Sequence, residues 1–337
     1  MKRAFYYLSR ARQLFMPRIP FDQLAATLAA ALVKLGFNDE RAVLCARLFA
    51  ETTRDGVYSH GVNRFPRFAR MIGNGSVEVG ARPRLVNRHG ALERWDGGRG
   101  AGNLNAWESM NRAMAIAREH GLGAVALANT NHWMRGGSYG WQAAEAGMMG
   151  VCWTNTLPNL PPWGATEPRV GNNPLVLGIP RGDCPVVLDM AMSQFSYGAL
   201  ASYRQRGEAL PVDGGFDAVG QLTRDPAAIE ASGRPLPIGY WKGSGLALVL
   251  DMMASMLSGG LATHQIPADP ERETGVSQFF LAMDPGPFGG GRAIADAIVG
   301  SLGVRYPGER TLALRAENLK LGVPVEDEVW ARIVATV

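Results

Sequence analysis

The sequence predicts an α/β protein, or more broadly a mixed α+β protein, in which helices and strands alternate along the chain. Three observations support this fold class. Apolar residues make up 47% of the 337 residues and charged residues only 19%, which predicts a large core. Short apolar runs typical of buried strands alternate with segments of helical periodicity. The 42 Gly and 21 Pro residues concentrate in the intervening loops, as in many enzymes with a built active site.

Helices are predicted where apolar residues recur at helical spacing and a stop signal follows. The first runs from Asn38, a suitable N-cap, to Asp55, and Gly56 ends it. The second runs from about 105 to 120; Asn105 and Glu108 resemble a capping box there, and Gly121 follows as a terminal glycine. Further helices are expected at 138–146, 309–320 and 325–335, and residues 245–260 are predicted to form a buried helix.

Strands are predicted for short apolar runs rich in β-branched and aromatic residues. They cover residues 123–129, 149–155, 173–179, 185–190 and 277–283. The chain is long enough for two or three domains.

Charge and cysteine usage exclude several classes of protein. The net charge of +4 comes from a basic tail that carries Lys2, Arg3, Arg10 and Arg12, so the rest of the chain is balanced and no nucleic-acid surface is expected. No apolar run reaches the ~20 residues that a membrane span needs. The 3 Cys residues are far apart, which favours reduced thiols in a cytoplasmic protein over disulfides or a zinc site.

Several cofactor motifs are absent from the sequence. No G-x-G-x-x-G follows a strand, because the nearest match, residues 98–103, lacks the third glycine. A standard Rossmann phosphate loop is therefore not expected. The 5 His residues have no metal-ligand spacing, so we also expect no metal.

The segment around His60 is the first candidate for chemistry. Ser59 precedes this histidine and Arg64 follows four residues later, one turn away if the chain is helical there. A histidine just beyond a helix suits a general acid, and a guanidinium suits a substrate carboxylate. The alternative is a structural histidine in a turn with a surface arginine.

Two more segments follow or open secondary structure in positions where α/β proteins bind ligands. Residues 129–140 link a strand to a helix and contain His132 and several glycines, which allow close approach of a phosphate at a helix start. Residues 240–245 open another helix and contain Lys242. The alternatives are an ordinary loop with a packed Trp133 and a helix cap with an exposed lysine.

Seven blocks of sequence, in the same order, resemble the second, non-Rossmann type of malate/L-lactate dehydrogenase. They are TTRDGVYSHGVNRFPRF, NHWMRGGSYGWQAAEAG, CWTN, PPWGA, LDMAMSQFSYG, LPVDGGFD and GYWKGSG. The resemblance extends from about Pro20 to the end of the chain and is weakest between residues 263 and 307. It accounts for the missing Rossmann glycines, because this family builds its cofactor domain on its own kind of sheet.

The resemblance implies an NADH-dependent reductase, with NADPH as a possible donor, that acts on a small 2-oxo acid as a homodimer with active sites near the subunit contact. The implied division is a basic tail at 1–16, a helical domain at 17–90 completed by 300–337, and a domain at 91–299 for cofactor and substrate. Trp133 and Arg135 favour a polar, extended substrate such as a 2,3-dioxo sugar acid, because many relatives have smaller residues there.

The resemblance also implies roles for particular residues. His60 matches the family's proton donor and Ser59 its hydrogen-bonding partner, while Arg64 matches the ligand of the substrate carboxylate. His132 and Asn172 are further expected substrate contacts. The expected cofactor contacts are His132, Gly136, Pro185, Val186, Val187, Leu188, Asp189, Met190, Ala191, Trp241, Lys242, Gly308, Glu309 and Arg310.

Three positions depart from the family pattern. Ala199 stands where many members carry a charged residue, which argues against a proton relay there. Asn172 replaces a common threonine, and Glu309 replaces a histidine. Two other functions remain open: reduction of another 2-oxo acid or a cyclic imino acid, and nicotinamide binding without catalysis, against which the retention of Ser59, His60 and Arg64 counts.

Overall fold

The computed structural model describes residues 16–337, so the predicted basic tail lies, except for Met16, outside the described residues. The chain divides into two compact units. The first contains residues up to 75 together with 304–337, and the second contains residues 76–303. The domain boundary expected at residues 90 and 91 falls inside a β-hairpin of the second unit.

The described residues form eleven strands and eleven α-helices. The strands are β1 (Arg18–Ile19), β2 (Arg84–His89), β3 (Leu92–Asp96), β4 (Leu122–Asn131), β5 (Met149–Thr154), β6 (Leu175–Ile179), β7 (Val186–Met190), β8 (Gly215–Phe216), β9 (Leu222–Thr223), β10 (Thr274–Met283) and β11 (Val323–Pro324). The helices are α1 (Phe21–Lys34), α2 (Asp39–Arg54), α3 (Phe65–Gly73), α4 (Gly102–His120), α5 (Gly137–Glu145), α6 (Tyr197–Arg206), α7 (Pro226–Ser232), α8 (Trp241–Ser258), α9 (Arg292–Ser301), α10 (Glu309–Leu321) and α11 (Asp327–Val334).

The first unit is mainly helical. The apolar stripe of α1, Leu24, Leu28 and Leu32, is fully buried, and α1 packs on α2. The prediction for α2 is confirmed: the Asn38 side chain accepts a hydrogen bond from the amide of Arg41, and Gly56 follows with φ +84°. The short strands β1 and β11 pair antiparallel, which ties the two sequence segments of this unit together.

The second unit is built on a seven-stranded mixed sheet in the order β2-β3-β4-β10-β5-β6-β7. All five predicted strands are confirmed, and β4 and β10 are longer than predicted. Only β3 and β4 run parallel, and α4 forms the crossover between them. The hairpin of β2 and β3 was not predicted, because its polar residues lie on an exposed sheet edge and lack a clear alternation.

Helix α4 begins earlier than predicted, at Gly102, and the expected capping box is absent. Asn105 is buried in the helix, where its side chain donates to the carbonyl oxygen of Gly97 and to Thr130 Oγ1. A Cβ at Gly102 would overlap the backbone oxygens of Asn131 and His132. The glycines before α4 therefore allow close packing against the end of β4.

Helix α8 is only half buried in the isolated chain, which corrects the prediction of a buried helix. One face, with Ala247, Leu250 and Ala254, packs on the core of the sheet. The opposite face exposes a stripe of five large apolar side chains: Leu248, Val249, Met252, Met253 and Met256.

Candidate active site

His60 lies on a one-turn 3-10 helix, Tyr58–His60, that follows α2 directly. Ser59 Oγ is 2.9 Å from His60 Nδ1. The turn is fixed to α2 because the amide of Val62 donates to the buried Thr53 Oγ1 at 3.0 Å. A Cβ at Gly61 would overlap this threonine, so the glycine after the histidine is required for the close contact.

Arg64 ends a second 3-10 turn, Val62–Arg64, and its amide donates to the carbonyl oxygen of Gly61 at 2.9 Å. The segment is therefore helical, but it forms two separate 3-10 turns and not one α-helical turn. Serine, histidine and arginine are all brought into one short segment of the first unit.

The segment Gly308–Arg310 also belongs to the first unit, at the start of α10. Gly308 adopts φ +98°, which glycine tolerates well, and α10 begins at the next residue. Helix α10 is held to the end of α2 because the buried Asp55 carboxylate accepts two hydrogen bonds of 2.9 Å from Arg315.

His132 lies in the second unit, in the loop between β4 and α5. The amide of Met134 donates to His132 Nδ1 at 3.1 Å. Trp133 is 1% exposed and packs against Tyr139 and Phe280, so it is a core residue. Arg135 is buried as well. Both side chains therefore offer little surface to a substrate, and their role in selecting an extended polar substrate stays a prediction.

The N-terminus of α5 is occupied by a carboxylate from β7. Asp189 Oδ2 accepts a hydrogen bond of 2.7 Å from the amide of Gly137, the first residue of the helix. Desolvation by the surrounding protein raises the pKa of Asp189, although part of the residue's surface is accessible. The positive charge of Arg135 and the hydrogen bond from the Gly137 amide both oppose this rise. A Cβ at Gly136 would lie 2.7 Å from the Trp133 ring. These glycines therefore allow packing and close approach of Asp189.

Strand β7, at the edge of the sheet, carries most of the expected cofactor segment from Pro185 to Ala191. The structure brings Asn172 to the end of this segment, because its carbonyl oxygen accepts from the amide of Met192 at 2.8 Å. The Asn172 amide donates to Asn159 Oδ1 at 2.8 Å. The half-buried Asn172 side chain makes no hydrogen bond with any other residue between 16 and 337.

The N-terminus of α8 differs from that of α5, because no side chain caps it. Trp241 and Lys242 are exposed there, with Lys242 Nζ 6.0 Å from the centre of the Trp241 ring. The backbone before the helix is tight: Tyr240 has φ +59°, a conformation rare for a non-glycine residue. A cation beside an uncapped helix start is the donor set that suits a phosphate.

Two aromatic residues at this helix end, Trp163 and Tyr240, were given no role of their own in the sequence analysis. The Trp163 amide donates to Ser244 Oγ at 2.9 Å, and the Trp163 and Tyr240 rings meet edge to face at 5.2 Å. Both side chains are 48% exposed. Their signal in the sequence is an aromatic residue next to a glycine in a loop, which is too common to identify a site by itself.

Ala199 lies in the first turn of α6, where its amide donates to the N-cap Ser196 Oγ at 3.1 Å. The residue supplies no charge. The cysteines Cys45, Cys152 and Cys184 are not in disulfides, as predicted. In the part of the chain that the structure describes, no cluster of three His, Cys, Asp or Glu side chains could hold a metal, and no helix is long and apolar enough to cross a membrane.

Comparisons with known proteins agree with this architecture. The profile of the malate/L-lactate dehydrogenase family matches residues 19–334. A 2,3-diketo-L-gulonate reductase from Shigella boydii is 47% identical over 331 residues, covering 94% of this chain and 99% of the relative. The Δ1-piperideine-2-carboxylate reductase of Pseudomonas syringae superposes with a TM-score of 0.86 at 26% identity, covering 95% and 100% of the two chains. A malate dehydrogenase from Pyrococcus horikoshii gives a TM-score of 0.84 at 27% identity, covering 95% and 94%. The chain therefore belongs to the malate/L-lactate dehydrogenase family, and it is an oxidoreductase of that family.

Proposed function

We propose that this enzyme reduces the C2 carbonyl of a 2-oxo sugar acid, converting 2,3-diketo-L-gulonate to 3-keto-L-gulonate. The observation that carries the proposal is the Ser59–His60 pair, with Arg64 on the next turn. The substrate follows from the 47% identity to relatives that are 2,3-diketo-L-gulonate reductases.

His60 is the proton donor in this proposal. A hydroxyl both donates and accepts, so Ser59 Oγ can remain hydrogen-bonded to Nδ1 in either protonation state of the ring. The ring is thereby oriented, and Nε2 delivers its proton to the alkoxide that forms at C2.

Arg64 binds the C1 carboxylate of the substrate. Its planar guanidinium can form a bidentate pair, which decides which carbonyl is presented for reduction. Asn172, which offers both a donor and an acceptor, binds the more distant oxygens of a sugar acid. His132 is the other substrate contact.

NADH, when bound, supplies the hydride. The residues at the start of α8 fit such a cofactor, because Lys242 and the uncapped helix N-terminus favour its phosphates and Trp241 offers an aromatic face. Strand β7 and the Gly308–Arg310 turn provide the remaining contacts. Gly136 is a further proposed cofactor contact, and it also permits close packing of the loop because a Cβ there would lie 2.7 Å from the Trp133 ring.

The enzyme acts as a homodimer in this proposal. The exposed apolar face of α8 supports it, since a stripe of five large apolar side chains is unusual on a monomer surface. Size-exclusion chromatography with light scattering tests this, because Met252→Glu with Met256→Glu should yield monomers. A wild-type monomer would contradict the proposal. A cytoplasmic location fits the three cysteines, none of which forms a disulfide.

The substrate proposal is tested by absorbance loss of NADH and of NADPH against a panel of acids. The panel contains 2,3-diketo-L-gulonate, pyruvate, oxaloacetate, sulfopyruvate and Δ1-piperideine-2-carboxylate. We expect the highest kcat/KM with 2,3-diketo-L-gulonate and NADH. A higher value for another acid would reassign the substrate, and NADH binding without any turnover would favour a binding protein.

A further inference from the structure

The hydrogen bond at His132 determines where this side chain carries its proton. A backbone N–H can only donate, so the contact of 3.1 Å from the Met134 amide makes His132 Nδ1 an acceptor. A neutral imidazole has one donor and one acceptor nitrogen, so its proton lies on Nε2.

This contact depends on an unusual backbone conformation. Met134 has φ +64°, in the left-handed region that a non-glycine residue adopts only at an energetic cost. The conformation turns its amide back toward the histidine two residues earlier. Non-glycine residues keep such a conformation only where neighbouring structure holds them there, and they cluster at functional sites.

The loop is held on both sides of the histidine. Before it, the Asn131 side chain donates to the carbonyl oxygens of Arg99 and Gly100 at 2.7 and 2.9 Å. After it, the carbonyl oxygen of Trp133 accepts a hydrogen bond of 2.6 Å from the hydroxyl of Tyr139. Asn131, Trp133 and Tyr139 are all buried, as is Gly100, so the turn cannot relax easily.

The two site histidines therefore have different partners on the same ring atom. His60 Nδ1 meets a serine hydroxyl, which accommodates a protonated or an unprotonated nitrogen. His132 Nδ1 meets an amide that can only donate, and a second proton on this ring would break that bond.

We propose that the left-handed turn at Met134 fixes His132 as a neutral donor at Nε2, which binds an acceptor oxygen of the 2-oxo acid and does not serve as a second proton donor. Met134 is a positioning residue in this arrangement. The ligand half of the inference rests on the proposed function, whereas the position of the proton does not.

The proton position is read directly by NMR of full-length enzyme labelled with ¹⁵N in histidine. The signals of His132 are those missing in His132→Gln. We expect a non-protonated Nδ1 and a protonated Nε2, with and without NADH, whereas the exposed His264 should show the mixture of tautomers typical of solvent. Met134→Gly keeps the amide and tolerates the turn, so its His132 signals should match wild type. A protonated Nδ1, or a mixture as at His264, would overturn the proposal.

The ligand half is tested with two substitutions of the same side chain. The amide nitrogen of Gln can reach the position of Nε2, whereas that of Asn ends near Nδ1. We expect His132→Gln to keep KM for the oxo acid within ~3-fold and His132→Asn to raise it by ~10-fold, since about 1.4 kcal/mol of hydrogen bonding is lost. KM for NADH should stay constant in both. An unchanged KM for the oxo acid in His132→Asn would overturn the substrate assignment, and an inactive wild type with the expected NMR signals would refute only the proposed function.

Discussion

The two units of the chain carry different kinds of site residue on different kinds of structure. In the first unit, Ser59, His60 and Arg64 lie on two consecutive 3-10 turns anchored by a threonine of α2. In the second unit, the residues assigned to cofactor lie at an edge strand and at the start of a long helix. Short turns can aim one side chain at a reacting atom, whereas strand edges and helix starts offer backbone groups to an extended ligand. Substitutions of Ser59, His60 or Arg64 should therefore change turnover or KM for the oxo acid, and those on β7 or at the start of α8 should change cofactor affinity.

The largest effect is expected for His60→Asn. Loss of the proposed proton donor should lower kcat by ~10²-fold or more, because an acid–base group typically contributes that much. The Kd for NADH, measured by fluorescence, should change less than ~2-fold, since His60 is not among the proposed cofactor contacts. His89→Asn, on the exposed strand β2, is the matched control and should leave both quantities unchanged. Near-normal turnover would remove His60 from the reaction.

The next effect is expected for Gly137→Ala in the second unit. A Cβ there would lie 2.8 Å from Asp189 Oδ2 and 3.2 Å from Arg135 Nε, in a segment with little room to move. The free energy of unfolding should fall by ~1–3 kcal/mol, and Kd for NADH should rise because β7 is displaced. Gly300→Ala has open space around its Cβ and should instead be neutral or stabilising. Equal stability of the two variants would show that the approach of Asp189 to α5 is not tight.

Arg64→Lys tests carboxylate recognition in the first unit. An ammonium cannot form the bidentate pair, so KM for the oxo acid should rise by ~10-fold while kcat changes less. Arg70→Lys, on the exposed side of α3, is the matched control. An equal KM in the two variants would mean that the carboxylate is bound by another residue.

The smallest effect is expected for Lys242→Ala at the start of α8. An exposed charge contributes up to about 1 kcal/mol, so Kd for NADH should rise by ~3–5-fold, and the increase should shrink at high salt. Lys34→Ala, exposed on α1, is the control. A rise in KM for the oxo acid without a change in Kd for NADH would move Lys242 from the cofactor site to the substrate site.

The local sequence pattern was sufficient to predict those helices and strands whose position depends on their own residues. The buried strands β4 to β7 and β10 were predicted because β-branched and aromatic runs are distinctive. The start of α2 was predicted because Asn38 is a good cap, and its end because Gly56 tolerates φ +84°. The start of α4 was missed, since Asn105 matches a capping pattern although its side chain is used in a buried contact with Thr130.

The candidate site also contains features that the sequence could predict and features that it could not. The sequence by itself indicated His60, Ser59 and Arg64 as a candidate group, because neighbours in sequence remain neighbours in a turn. It also indicated a loop of glycines before α5, but it assigned their purpose to a phosphate. The anion at that helix start is Asp189, which is 52 residues away in sequence.

What the sequence determined about this protein is therefore its family, its strand and helix pattern, and the short segment that carries the proposed proton donor. Tertiary structure alone decided the partner of the α5 N-terminus, the burial of Trp133, the exposed face of α8 and the left-handed turn that places an amide on His132. The physical reason is that these features come from contacts between residues far apart in sequence, or from backbone strain that only surrounding packing can hold.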